Sequence, residues 1–120
     1  MIFVCGNGGS SSTAEHFTND LFSKGVRAMC LNSNTAIMTM IANDFGYEFV
    51  FSDQLELYAE EGDELVVFSC SGTSPNIVNA IETAEEMGMD VIELFGKEGK
   101  SYEDIENDHL RAAHTIANEI

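Results

Sequence analysis

Met1-Ile-Phe-Val-Cys5-Gly-Asn-Gly-Gly-Ser10-Ser-Ser12 opens the chain, and its reading decides the fold. Ile2 to Cys5 is an apolar run short enough to be a buried strand. It feeds a loop of glycines and serines that runs directly into a helical pattern over Thr13 to Ser23. Such a junction suits an anion. Glycine lets the backbone approach a ligand closely, and amides at a helix start carry partial positive charge and unspent donors. Taken alone the loop is also consistent with nothing more than a tight turn.

Three further apolar runs repeat the strand signal, at Val26 to Leu31, Glu64 to Ser69 and Asp90 to Phe95. Helical patterns separate them. Thr35 to Ala42 has Ser33 or Asn34 available as its N-cap. Tyr47 to Glu60 places apolar residues at helical spacing, with Gly62 following where a left-handed cap is wanted. Pro75 to Met87 is the clearest helix: Ser74 can cap it, Pro75 suits its first position, Ile77, Ile81, Ala84 and Met87 form a buried stripe, and Gly88 ends it. A last helix covers Tyr102 to Ile120. Strands alternating with helices predict an α/β fold, a three-layer sandwich with a mainly parallel sheet flanked by helices. Ligands of such folds bind beyond the carboxyl ends of the strands, where this chain puts its polar loops.

At 120 residues, 44% hydrophobic, the chain can bury one moderate core, so residues 1–120 read as a single domain. Its formal charge of −16, from 21 acidic against 5 basic residues, argues against nucleic acid as a partner, because phosphate backbones are bound chiefly through Lys and Arg. The same charge repels a phosphorylated metabolite at long range, so a phosphate site here must act locally, through amides, hydroxyls or a metal. Cys5, Cys30 and Cys70 are odd in number and lie in or beside apolar runs, which predicts reduced thiols and a cytoplasmic location. No run approaches the roughly 20 apolar residues that span a bilayer, so no membrane partner is expected.

The second polar loop, Ser69-Cys-Ser71-Gly-Thr-Ser74, lies between a strand and the helix marked by Pro75. Its hydroxyls beside free amides can wrap a phosphate without a cation, although an N-cap with ordinary turn residues accounts for the same pattern. Two such loops on neighbouring strand ends favour an anionic ligand. His16 and Asp20 are four residues apart, on one face of a helix, which suits a shared metal, an acid/base pair or a plain surface hydrogen bond. On the last helix Glu106 and His114 are eight residues apart, a rise of roughly 12 Å, so both reach one ion only with extended side chains. His109, amid apolar neighbours, reads as a core or interface residue.

Together these residues resemble the sugar isomerase (SIS) domain family, and within it the phosphoheptose isomerases. The matching pieces are Phe3 to Ser10, Ala14-Glu-His16-Phe, Ala42-Asn-Asp44-Phe-Gly46, Ser69 to Ser74 followed by Asn76, and the ending with His109 and His114. The resemblance implies a flavodoxin-like, nucleotide-binding-like topology. It also implies interconversion of sedoheptulose 7-phosphate and D-glycero-D-manno-heptose 7-phosphate through an enediol, in bacterial surface-heptose synthesis. Carried over by position, Asn7, Gly8, Ser10, Ser69, Cys70, Ser71 and Ser74 would line the phosphate site, Cys70 by its backbone. Asn43 and Asp44 would meet the sugar, together with Asp20 and Glu106. Asp20 and His114 would be catalytic, and zinc would sit among His16, Asp20, Glu106 and His114. A homotetramer with sites at subunit boundaries is the implied assembly.

The chain departs from the family in three ways. Asp20 stands where the family has Glu, and Glu106 where it usually has Gln. The family's helical segment before the first strand, longer connection near Ser23 to Val26 and strand between Lys100 and Ser101 have no counterpart in these 120 residues, as expected either of a minimal form or of a sequence from which segments are left out. Asp20 and the acidity motivate a second reading, a non-catalytic SIS module that binds a phosphosugar or serves as an oligomeric adaptor for a protein partner. A nucleotide-binding module ranks third, since the first loop lacks both the P-loop Lys and the G-x-G-x-x-G spacing.

Overall fold

The computed structural model describes residues 1–95 and Ile116. The strands β1 (Ile2–Gly6), β2 (Ala28–Cys30), β3 (Glu64–Ser69) and β4 (Asp90–Phe95) form one sheet in the order β2-β1-β3-β4, parallel at every pairing. The connections carry helix α1 (Gly9–Ser23), helix α2 (Thr35–Asp44), a 3-10 turn (Tyr47–Phe49), helix α3 (Ser52–Tyr58) and helix α4 (Pro75–Glu86).

Period-2 alternation along the strands sorts the core into two layers. Ile2, Val4, Val66 and Phe68 face α1, where Ala14, Phe17 and Leu21 meet them and Ile116 packs alongside. Phe17 and Phe68 are in edge contact, ring centroids 5.8 Å apart. Phe3, Cys5, Leu65 and Val67 face the other way, onto Ile41 of α2, Leu55 of α3 and Ile77, Ala80 and Ala84 of α4. The expected three-layer α/β sandwich with a parallel sheet is therefore the observed fold.

Element boundaries differ from expectation for local reasons. Helix α1 begins at Gly9, not Thr13, so Ser10 to Ser12 are helical and the first loop shrinks to Asn7 and Gly8. Strand β2 is shorter than Val26 to Leu31, because the Val26 amide bonds back to the Leu21 carbonyl and finishes the turn that ends α1. The stretch expected as one helix over Tyr47 to Glu60 breaks into a 3-10 turn and a seven-residue helix. At the break Val50 and Phe51 are both fully buried, and the buried Gln54 amide donates to the Leu31 carbonyl (2.9 Å) and the Val50 carbonyl (2.7 Å). Gly62 is not the cap of that helix. Ala59 caps it in extended conformation, and Gly62, at φ +89°, instead bonds the Gly88 carbonyl across the two turns that precede β3 and β4. Asn34 is the N-cap of α2, its side chain accepting from the Ile37 amide. Of the last expected helix, Tyr102 to Ile120, all but Ile116 lies outside the described residues.

Candidate functional site

Chain direction places the site. From β1 the chain crosses to β2 through α1 on one face of the sheet; from β3 it crosses to β4 through α4 on the other. The loops leaving the adjacent strands β1 and β3 therefore diverge. The crevice between them is the switch point where open parallel sheets hold ligands. A cleft of about 290 Å³ lies there, lined by Asn7, Gly8, Gly9, Ser69, Cys70, Ser71 and Ser74.

On the β1 side, Gly6 runs so close to its neighbours that a Cβ would meet the Ser10 carbonyl oxygen at 2.6 Å and the Phe68 carbonyl oxygen at 2.8 Å. Gly8, at φ 58° and ψ −126°, makes the corner with a conformation open only to glycine. The Ser10 and Ser11 amides are taken by the Asn7 and Gly8 carbonyls, both at 3.0 Å, whereas the amides of Gly8 and Gly9 are not spent that way among the described residues. Ser10 itself is buried in the first turn of α1, and its hydroxyl has no hydrogen-bond partner among the described residues. A buried polar group without a partner costs roughly 1–3 kcal/mol, which makes Ser10 a position that a ligand oxygen would relieve.

On the β3 side, Ser69 Oγ accepts from the Gly72 amide (3.0 Å) and Ser71 Oγ accepts from the Thr73 amide (3.3 Å). Both bonds use the oxygen as acceptor and leave the hydroxyl proton for a ligand. Ser74 occupies the N-cap position of α4, but contrary to expectation its side chain makes no capping bond, so its hydroxyl stays available at the cleft. None of the cleft-lining residues is cationic. An anion held here would meet only hydroxyl and amide dipoles, in keeping with the acidic composition.

A second cleft, about 360 Å³, adjoins the first and shares Asn7 and Ser74 with it; Tyr47, Glu48, Pro75 and Asn76 complete it. At this junction Asn7 and Asn76 exchange amide hydrogen bonds, Asn7 Nδ2 donating to Asn76 Oδ1 at 2.8 Å and Asn76 Nδ2 to Asn7 Oδ1 at 2.9 Å. Tyr47 Oη donates to the same Asn7 oxygen at 3.2 Å. Asn32, beyond β2, pins Gly6 from the other side, accepting from its amide and donating to its carbonyl. Sequence reading gives Tyr47 only as part of a helix and Asn32 only as part of a polar loop. Asn76 enters that reading through the family match, and it carries a physical signal as well, a polar residue adjoining Ile77 on a helix face that must be buried.

Of the other expected site residues, His16 is exposed and Asp20 half-buried, one turn apart on α1. Asn43 and Asp44 stand exposed at the end of α2, bonded to each other (3.0 Å) and outside the lining of both clefts. Glu106 and His114 lie outside the described residues, and no group of three metal-ligating side chains occurs among those described. Cys5 and Cys30 are free and buried, and burial pushes the Cys5 thiol well above its ordinary range and raises that of Cys30, so neither is a thiolate nucleophile at neutral pH. Cys70, also free, is half-buried at the cleft. No described helix is long and apolar enough to cross a membrane.

The SIS domain profile matches residues 1–96, which include the sheet and both loops. The chain belongs to the SIS domain family. Its relatives in sequence include a phosphoheptose isomerase of Helicobacter pylori strain HPAG1, 43% identical over 104 residues that make up 82% of this chain and 54% of that protein. Another, from Trichlorobacter lovleyi, is 41% identical over 106 residues, 83% of this chain and 54% of the relative. This SIS chain thus spans about half the length of the curated relatives it matches. A solved phosphoheptose isomerase from Francisella tularensis superposes with a TM-score of 0.91 at 29% identity, covering 98% of this chain and 74% of that one. One from Neisseria gonorrhoeae gives 0.90 at 31%, covering 99% and 76%.

Proposed function

We propose that this SIS chain is a phosphosugar isomerase that interconverts sedoheptulose 7-phosphate and D-glycero-D-manno-heptose 7-phosphate, within bacterial surface-heptose synthesis. The cleft at the β1/β3 switch point carries the reading: Gly8 and Gly9 amides on one wall, Ser69, Ser71 and Ser74 on the other, and the unpartnered Ser10 hydroxyl in the adjoining turn. Its phosphoheptose isomerase relatives support the choice of sugar. In this account the dipolar walls hold the phosphate, which fixes the sugar for the chemistry. Asp20 moves the proton between the two carbons of the enediol, and His114 serves the oxygens as acid and base.

Zinc belongs to the same proposal. His16 and Asp20 fit it as an imidazole nitrogen and a carboxylate oxygen on one helix face, and Glu106 and His114 would complete the set. When bound, zinc would polarise a sugar oxygen as a Lewis acid. The free cysteines support a reducing cytoplasm, and exposed Phe22, Phe45 and Leu57 support burial against further copies, in the proposed homotetramer.

Turnover of sedoheptulose 7-phosphate by the purified, zinc-supplied chain tests the proposal against Asp20→Asn and His114→Ala. Activity of the unaltered chain at least a hundredfold above both variants is expected. Equal rates refute an enzyme. Saturable binding of the sugar phosphate without turnover would assign the second reading, a phosphosugar-binding module, which Asp20, one methylene shorter than Glu, favours.

A further inference from the structure

We infer that Asn76 is a positioning residue: it holds the Asn7 carboxamide in place at the junction of the two clefts, where Asn7 meets the ligand with its remaining N–H, and Tyr47 is the second half of the lock. The inference rests on the phosphosugar reading of the cleft. Asn76 is 2% exposed at the start of α4, buried there with no role in the core, and both atoms of its amide are spent on Asn7. That pairing joins the loop after β1 to the loop after β3, 69 residues apart in the chain, across the crevice between them.

The hydrogen-bond inventory of an amide makes the consequence specific. A carboxamide oxygen has two lone pairs and its nitrogen two protons. At Asn7 one lone pair accepts from Asn76 Nδ2 and the other from Tyr47 Oη, so the oxygen is saturated. Of the nitrogen's protons, one goes to Asn76 Oδ1. The second N–H remains, on a half-buried residue that lines both clefts. Turning the Asn7 amide over by itself would set nitrogen against nitrogen and oxygen against oxygen and lose both bonds of the pair, so the two carboxamides can turn only together, with Tyr47 Oη then accepting where it now donates. In the observed arrangement the remaining Asn7 N–H suits a ligand atom that accepts, such as a phosphate oxygen or a hydroxyl oxygen at the junction of the two clefts. A merely structural Asn76 would hold the loops together with no bearing on what Asn7 presents.

Calorimetric titration with sedoheptulose 7-phosphate separates these roles in the full chain, using Asn76→Ala, Tyr47→Phe, Asn7→Ala and the two pairwise combinations with Asn7→Ala. Asn76→Ala should weaken binding about tenfold and Tyr47→Phe about threefold, roughly a hydrogen bond's worth each. In the Asn7→Ala background both effects should fall below twofold, because the lock has nothing left to orient. Loss of folded stability in Asn76→Ala should by contrast persist in that background. Tyr47 is exposed, so Tyr47→Phe keeps the test decisive if Asn76→Ala does not fold. Equal effects with and without Asn7, or no effect of either variant on an unaltered chain that binds, would overturn the inference alone. Failure of the unaltered chain to bind would overturn the phosphosugar reading beneath it, and the inference with it.

Discussion

Replacing Gly6 with alanine should strike fold and site together. Gly6 is the last residue of β1, in ordinary extended conformation, so the perturbation is purely steric. The new methyl would lie 2.6 Å from the Ser10 carbonyl oxygen and 2.8 Å from both the Ser10 carbonyl carbon and the Phe68 carbonyl oxygen, where 3.4 Å is ordinary contact. All are backbone atoms. No rotamer change relieves them, so the first turn of α1 must move off the β1–β3 pair by a good part of an ångström. Overpacking of a core costs about 1–3 kcal/mol, and displacing backbone puts this case near the top of the range, about 3 kcal/mol. Gly25→Ala is the control: φ is +74° with nothing within 4 Å of the added carbon, which leaves only the left-handed strain of about 1 kcal/mol. With a urea m-value of about 1.5 kcal/mol/M, the midpoint should fall by about 2 M for Gly6→Ala and about 0.7 M for Gly25→Ala. Ligand affinity should fall with the first variant only, since Gly8, Gly9 and Ser10 move with the turn. A Gly6→Ala midpoint no lower than that of Gly25→Ala would refute the claim that close backbone approach builds this corner.

Ser10→Ala should act with opposite signs on fold and ligand: removal of a buried hydroxyl without a partner should raise unfolding stability by about 1 kcal/mol, while calorimetry should show phosphosugar binding at least tenfold weaker. Thiol labelling at pH 7 should modify Cys70 in the native chain and reach Cys5 and Cys30 only on unfolding. Those two thiols are also held protonated in the fold, so the unfolded state releases their protons first as pH rises. Stability should then drop above about pH 8.5, and Cys5→Ala should flatten that alkaline limb in denaturation curves taken between pH 7 and 10. Phe17→Ala, which removes the ring packed on Phe68 between α1 and the sheet, should cost about 3–5 kcal/mol by the same denaturation measurement.

Strand and helix order were legible because the apolar periods are strong: β3 and β4 occur where their runs of branched and aromatic residues put them, and Asn34 caps α2 as its type suggests. Boundaries at the site were less so, since Ser10 to Ser12 suit both a loop and a first helical turn, and only the close approach of Gly6 to Ser10 settles which. The break at Val50 depends on Gln54 reaching Leu31, a contact between distant segments that no local pattern encodes. That polar segments follow β1 and β3 was readable, and the strand order sets them side by side. The Asn7–Asn76–Tyr47 lock was not, because its members lie in three segments and meet only through the strand order.

The crystal structure of the full chain with sedoheptulose 7-phosphate tests the central claim most directly. The account predicts the phosphate between the Gly8 and Gly9 amides and the Ser71 and Ser74 hydroxyls, with Ser10 Oγ within hydrogen-bond reach. A phosphate bound instead in the separate cleft lined by Met29, Cys30, Ser33 and Asn34, or at no ordered position in crystals soaked at saturating ligand, would contradict it.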